Sequence, residues 1–313
     1  MALTRKRFLI AKSESTYGTD STPVGGTDAV QVTDLEVTPI QADNIVAPTL
    51  QGFIGNSTRS TLVANKRVSV TFGVELSGSG TAGTAPAYGP LLKACGLSET
   101  VVADTSVTYA GVSSSFDSAT IYCFYDGTRH KITGCRGTVT FNLVGGQFAA
   151  ANFEMTGIYN DPDDTALSGT FTVANQAAAL EVNDTNVTTS TFHGVTNVRI
   201  ESFDLALNNN VVYKESLSNK EILIVDRQPG GTTVLEAPAV GTTDYFAKAV
   251  GVAQASSSIV LGATGGNIIT MTMPQTDITG VSYGDTNGVI NLSIPYLALP
   301  STSGNDEISI AFT

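Results

Sequence analysis

The sequence has no tryptophan, three cysteines, two histidines and little charge: Asp, Glu, Lys and Arg make up 14% of its 313 residues, where soluble proteins average roughly 25%. Each shortage excludes something. With no Trp, ten Tyr and thirteen Phe, few aromatic faces are left on which sugar rings could stack. Cys95, Cys123 and Cys135 are odd in number and form no C-x-x-C pair. They read as small buried thiols in a reducing compartment, not as a disulfide framework. His130 and His193 have no Cys or carboxylate at metal-ligand spacing, so no metal is expected, nor any other cofactor. The nucleophile-elbow, Walker and dinucleotide fingerprints are all missing. The Gly-rich stretch at 78–84 lacks the lysine of a phosphate loop. Asp161, Asp163 and Asp164 lack the Gly and Glu that complete a calcium loop. No catalytic role is expected from such a set. Apolar runs are short too: none reaches the ~18 residues of a membrane helix. At the start, Phe8–Ala11 falls below the roughly 7–15 residues of a secretory core, so export is not expected.

What is present is threonine, about 40 of them, with 31 glycines, a bias toward strands and tight turns. The net charge is −12, and it is unevenly placed. Arg5, Lys6, Arg7 and Lys12 precede every acidic residue. A basic leader on an acidic body can dock on an acidic neighbour of its own kind. The body has the wrong sign for gripping nucleic acid, which needs clustered Lys and Arg.

Residues 68–76, VSVTFGVEL, alternate with the period of a half-buried strand. TVTFNLV at 138–144 does the same. Gly145-Gly146 turns it into Phe148–Gly157, and Asp126-Gly127 joins IYCFY to TRHKI. TAPAYGPLLKACGL predicts a short helix beginning near Pro90 and ended by Gly96. This order recurs. SFDLAL, Asn208–Asn210 and Val211–Lys214 predict a hairpin that echoes DLEVTPI, Ala42–Asn44 and Ile45–Ala47. Thr232–Glu236 follows as Val68–Leu76 did. GTTDYFAKAVGV repeats the helix, and NIITMTM with GVINLSIPYLAL closes the pattern. A duplication is expected: an N-terminal arm at 1–30, a β domain at 31–160, a linker at 161–169 where NDPDD breaks any strand, and a second β domain at 170–313.

Four stretches, ESTYGTDSTP, VTDLEVTP, PAYGPLLKACGL and GCRGTVTFNLVGGQFAAANFEMTG, resemble in content and order the major tail tube protein of long-tailed, non-contractile bacteriophages. The likeness has recognisable motifs in the first half and continues in the second by strand order. It implies a mainly β fold: two tandem tail-tube-type β-sandwich or rolled-sheet domains, each with a short flanking α-helix. It also implies self-assembly into rings, here trimers with pseudo-sixfold symmetry in preference to hexamers. These stack into a hollow tube in the virion tail, formed in the host cytoplasm and joined by other tail proteins at its ends. DNA passes through without specific binding, and the family brings no catalytic residues. Two segments are the expected inter-subunit contacts: the arm, through Arg5, Lys6, Arg7, Lys12 and Tyr17, and the loop Gln51–Lys66, through Phe53, Arg59 and Asn65. The competing expectation is a glycan- or receptor-binding β-domain of the tail tip or capsid.

Overall fold

Alternation in the sequence becomes one apolar face. The computed structural model describes residues 3–46, 50, 52–55 and 61–313. In it Val68, Val70, Phe72, Val74 and Leu76 are all buried, as are Val139, Phe141 and Leu143. The first half comprises β1 (Arg7–Ser13), β2 (Ala29–Val30), β3 (Thr33–Ile45), β4 (Leu62–Glu75), α1 (Gly89–Ala94), β5 (Leu97–Val102), β6 (Ser106–Gly111), β7 (Ala119–Tyr125), β8 (Thr128–Val144) and β9 (Ala150–Tyr159). The second comprises β10 (Val187–Phe192), β11 (Val195–Thr196), β12 (Ile200–Ala206), β13 (Asn209–Glu215), β14 (Lys220–Arg227), β15 (Gly230–Glu236), α2 (Tyr245–Val250), β16 (Ala255–Leu261), β17 (Ile269–Ile278), β18 (Ser282–Thr286), β19 (Val289–Leu299) and β20 (Ser309–Phe312). The chain is mainly β, with two short helices, as its composition predicts.

The strand pairings are antiparallel. In the first half they run β2-β1-β7-β8-β9-β4-β3. In the second they run β11-β10-β16-β17-β19-β15-β12. The path is the same. The halves meet because β8 outlasts its partner β7. Its start pairs with β7, and its end pairs with β12 from Val144↔Ser202 to Thr140↔Ala206. A second seam forms where β20 lies between β6 and β17. One sheet of eight strands therefore crosses the molecule in the order β3-β4-β9-β8-β12-β15-β19-β18.

Aromatic rings line its core face: Phe72 stacks on Phe153 at 5.3 Å and Phe203 on Tyr296 at 5.8 Å, contacts that add to area burial. Helix α1 packs against β1, β7 and β8 and buries Leu91, Leu92 and Ala94. Pro90 sits in its first turn, and Gly96, at φ +81°, takes the left-handed conformation just beyond it. In α2 the Asp244 side chain caps the helix by accepting from Ala247 N at 2.8 Å, and of its residues only Tyr245 is fully buried.

Several expectations change. Thr33–Ile45 does not turn at Ala42–Asn44; β3 runs through and pairs with β4 down to Ile45↔Leu62. Likewise β12 and β13 do not form a hairpin with each other. Asn208, at φ +50°, redirects the chain, and β13 pairs with β14. Within the expected N-terminal arm, 1–30, the residues Arg7–Ser13 and Ala29–Val30 are strands of the first half. Leu9, Ile10 and Ala11 are buried and β1 pairs with β7 from Arg7↔Tyr125 to Ser13↔Ala119. The connection between the halves is also longer than 161–169. Residues 160–186 run along the first half, with bridges Arg129↔Asp163 and Phe148↔Glu181.

Candidate assembly surfaces

The stretch ESTYGTDSTP forms the turn that leaves β1. Glu14 accepts four hydrogen bonds: from Gly18 N at 2.7 Å, Ser118 Oγ at 2.6 Å, Thr120 Oγ1 at 2.8 Å and Gly134 N at 2.7 Å. These fix the turn on β7 and β8. Tyr17 points toward the second half. Its hydroxyl accepts from Ile222 N at 2.6 Å and donates to Gly134 O at 3.3 Å. Loss of solvent pushes its pKa up to about 12, so the phenol stays neutral and keeps its proton to donate. Arg136 lies over the Tyr17 ring at 4.6 Å. It donates to Ile222 O at 2.7 Å, Phe116 O at 2.8 Å, Asp117 O at 3.3 Å and Glu221 Oε1 at 3.2 Å. Arg227 crosses the seam the other way: it pairs with Glu307 and donates to Val112 O at 3.0 Å and Gly96 O at 3.3 Å. Asn209 Nδ2 donates to Cys95 O at 2.7 Å and Gly137 O at 2.9 Å. The hairpin β13·β14 is thus held against the first half by the donors of Arg136, Arg227 and Asn209, each of which finds acceptors across the seam, as burial of such groups requires.

The opposite face of the eight-stranded sheet is polar. Because strands alternate, the rows Glu36–Thr71–Glu154–Thr138 and Asn152–Thr140 lie on it, continued by Asn142 opposite Asp204. Asn142 donates to Asp204 Oδ1 at 2.7 Å, and Asn152 donates to Asn142 Oδ1 at 2.7 Å. Carboxylates, amides and hydroxyls fill these rows without a Lys or Arg.

The sheet ends in two open edges. Among the described residues β3 pairs with β4 alone and β18 with β19 alone, and all of Ser282–Thr286 is exposed. Beyond the sheet, β3 and β4 extend as a hairpin carrying exposed Ile40, Ile45, Val46, Phe53, Ile54, Leu62 and Val63. Isolated apolar side chains on a surface are ordinary; here seven fall within the one segment from Ile40 to Val63.

The residues singled out from sequence separate accordingly. Phe53 is exposed in this hairpin region. Asn65 lies within β4 at φ +53° and donates to Asp43 Oδ2 at 2.7 Å, across the hairpin. Arg59 lies outside the described residues. Lys6 pairs with Asp126 at 3.3 Å, Arg7 donates to Leu35 O at 2.8 Å, and the exposed Lys12 lies opposite Thr120 in the β1·β7 ladder. Arg5 is exposed in the turn before β1. Arg136, Arg227 and Asn209 were missed. The one signal in the sequence is Arg136 within the small-residue run GCRG of an apolar strand, where a charge must find partners. Among the described residues no group of three His, Cys, Asp or Glu could hold a metal ion, and no helix is long and apolar enough to cross a membrane.

The model of the phage tail tube protein family matches residues 4–313. The chain belongs to that family. The match spans both halves, so the whole chain, not the motif-rich first half alone, is phage tail tube protein. This family is structural, and its place is the virion tail. No individual curated protein matches the sequence.

Proposed function

We propose that this tail tube protein assembles three copies to a ring, and that the rings stack into the hollow tube of a long, non-contractile tail through which the genome reaches the host. The observation that carries the reading is the eight-stranded sheet: two halves with one pairing path, joined edge to edge, with an open edge at each end. Uncontrolled strand edges aggregate, and head-to-tail contacts between edges generate a closed ring when the rotation permits. Two equivalent halves per chain make three chains enough for a sixfold-like wall. The duplication has its joint in residues 160–186.

The polar face with Glu36, Glu154 and Asp204 lines the channel in this reading. Unit charges 4 Å apart interact by only about 1 kcal/mol in water, and salt screens them within roughly 8 Å. Such a wall does not drive DNA; it keeps DNA from adhering. The apolar end of the β3·β4 hairpin contacts the next ring, and other tail proteins close the two ends. Assembly takes place in the host cytoplasm.

Purified protein, followed by sedimentation and electron microscopy, should form rings or tubes of uniform diameter as concentration rises. Monomers that persist at high concentration and fail to add to tail scaffolds would contradict the reading.

A further inference from the structure

The seam between the halves exists once inside the chain, and the two halves correspond residue by residue around it. VQVTDLEVT (Val30–Thr38) answers VRIESFDLA (Val198–Ala206), and each segment carries a register irregularity near its middle, between Thr33 and Glu36 and between Ile200 and Ser202. TVTFNLVGG (Thr138–Gly146) answers GVSYGDTNG (Gly280–Gly288), each ending in the turn to the next strand of the same path. KACGL (Lys93–Leu97) answers KAVGV (Lys248–Val252).

Equivalent residues differ in cover. In the first half, where β12 and the β13·β14 hairpin lie on the seam, Phe141, Cys95 and Leu97 are 0%, 0% and 2% exposed. Their counterparts Tyr283, Val250 and Val252 are 70%, 87% and 96% exposed. The second half thus displays the apolar surface that the first half covers. The segment that would cover it is the counterpart of β12 and its hairpin, namely β3 with the β3·β4 hairpin, and within one chain that segment lies at the far edge of the sheet.

Resting on the tube reading, we propose that β18 of one copy pairs antiparallel with β3 of the next in the register that β8 and β12 use within a chain. The internal pairs Leu143↔Phe203, Asn142↔Asp204, Phe141↔Leu205 and Thr140↔Ala206 then become Asp285 opposite Leu35, Gly284 opposite Glu36, Tyr283 opposite Val37 and Ser282 opposite Thr38. Tyr283 and Val37 close the apolar face; Glu36 continues the polar one. Asp285 serves its turn, its Oδ1 accepting from Gly288 N at 3.2 Å. The same mapping sets Gln41 where Asn209 stands, against the C-terminal end of the neighbour's α2, with the neighbour's Val250 and Val252 beneath the hairpin.

The test uses exposed positions that leave the fold alone. Thr38→Cys with Ser282→Cys places two thiols directly across the seam, within reach of a disulfide; Glu36→Cys with Ser282→Cys is displaced by two residues. The native cysteines are buried and do not compete. After oxidation of assembled rings, the first pair should give covalent trimers on denaturing gels while the second stays monomeric. Assembled rings in which the displaced pair links, or neither does, would overturn the register and leave the tube reading standing. Failure of the unsubstituted protein to form rings, visible in micrographs, would remove both. As a second readout, a thiol from Val252→Cys should react with maleimide in monomers and lose that reactivity in rings; equal reactivity in both would contradict the hairpin's place.

Discussion

Nη1 of Arg136 donates to the carbonyl of Ile222 at 2.7 Å, tying β8 of the first half to β14 of the second. Tyr17 accepts from the amide of the same Ile222, so one residue of the hairpin is gripped at both backbone groups. The grip adds a side-chain tie to the β8·β12 pairing that joins the two halves.

Arg136→Met removes the charge but leaves the carbonyls of Ile222, Phe116 and Asp117 without their donor. Breaking a buried charged network from one side costs about 3–5 kcal/mol, and urea denaturation should show a loss of that order. Glu221→Gln should cost less than about 1 kcal/mol, because Glu221 is partly solvated and its pair with Arg136 is one of several bonds.

Gly157 sits in β9 opposite the register shift of β8, between Thr133↔Ile158 and Arg136↔Thr156. A Cβ there would meet Ile132 Cγ2 and lie 2.6 Å from Cys135 Sγ. Gly157→Ala should destabilise by about 1–3 kcal/mol, the range for overpacking a filled core. Gly26→Ala, with open space around its Cβ position, should stay within about 0.5 kcal/mol of the parent. Thermal melts of the two variants check this contrast.

His193 is buried, at φ +47°, with Lys248 Nζ 3.3 Å from Nδ1. Burial first, and the Lys248 charge second, hold its pKa below the ordinary 6.5. The folded state therefore binds its proton less readily than the unfolded chain does. Its contribution is complete above about pH 6.5 and falls as pH drops through the depressed value, by about 1.4 kcal/mol per unit of displacement. Melting temperature should decline between pH 7.5 and 5, and His193→Asn, which tolerates the left-handed backbone, should flatten that decline.

Ile54→Asp, at the exposed end of the β3·β4 hairpin, should leave the melting temperature unchanged and reduce stacking of rings into tubes. Counting tube lengths in micrographs distinguishes the outcomes; tubes of normal length would remove the hairpin from the inter-ring contact.

The sheet's half-buried strands were legible because period-two alternation survives wherever one face is dry and the other wet, as in Val68–Leu76 and Val139–Leu143. The turns at Asp126-Gly127 and Gly145-Gly146 were legible for the same local reason. What the residues near the start do was not. Arg5, Lys6, Arg7 and Lys12 looked like a docking arm because charge is conspicuous, while the fate of Phe8–Ala11 depends on β7, more than a hundred residues away. The turn expected at Ala42–Asn44 failed similarly: those residues favour turns locally, but pairing with β4 carries the strand past them. Arg136 was hidden by its own chemistry, since its four partners come from β14 and the segment before β7, and no local spacing encodes them.

In the proposed ring, two equivalent halves per chain let three chains close a sixfold-like wall. Cryo-electron microscopy of assembled rings, averaged without imposed symmetry, tests it most directly. Three copies per ring are expected, with β18 of each copy hydrogen-bonded to β3 of the next in a continuous inner sheet. A ring of six chains, or one in which these two edges do not meet, would contradict it.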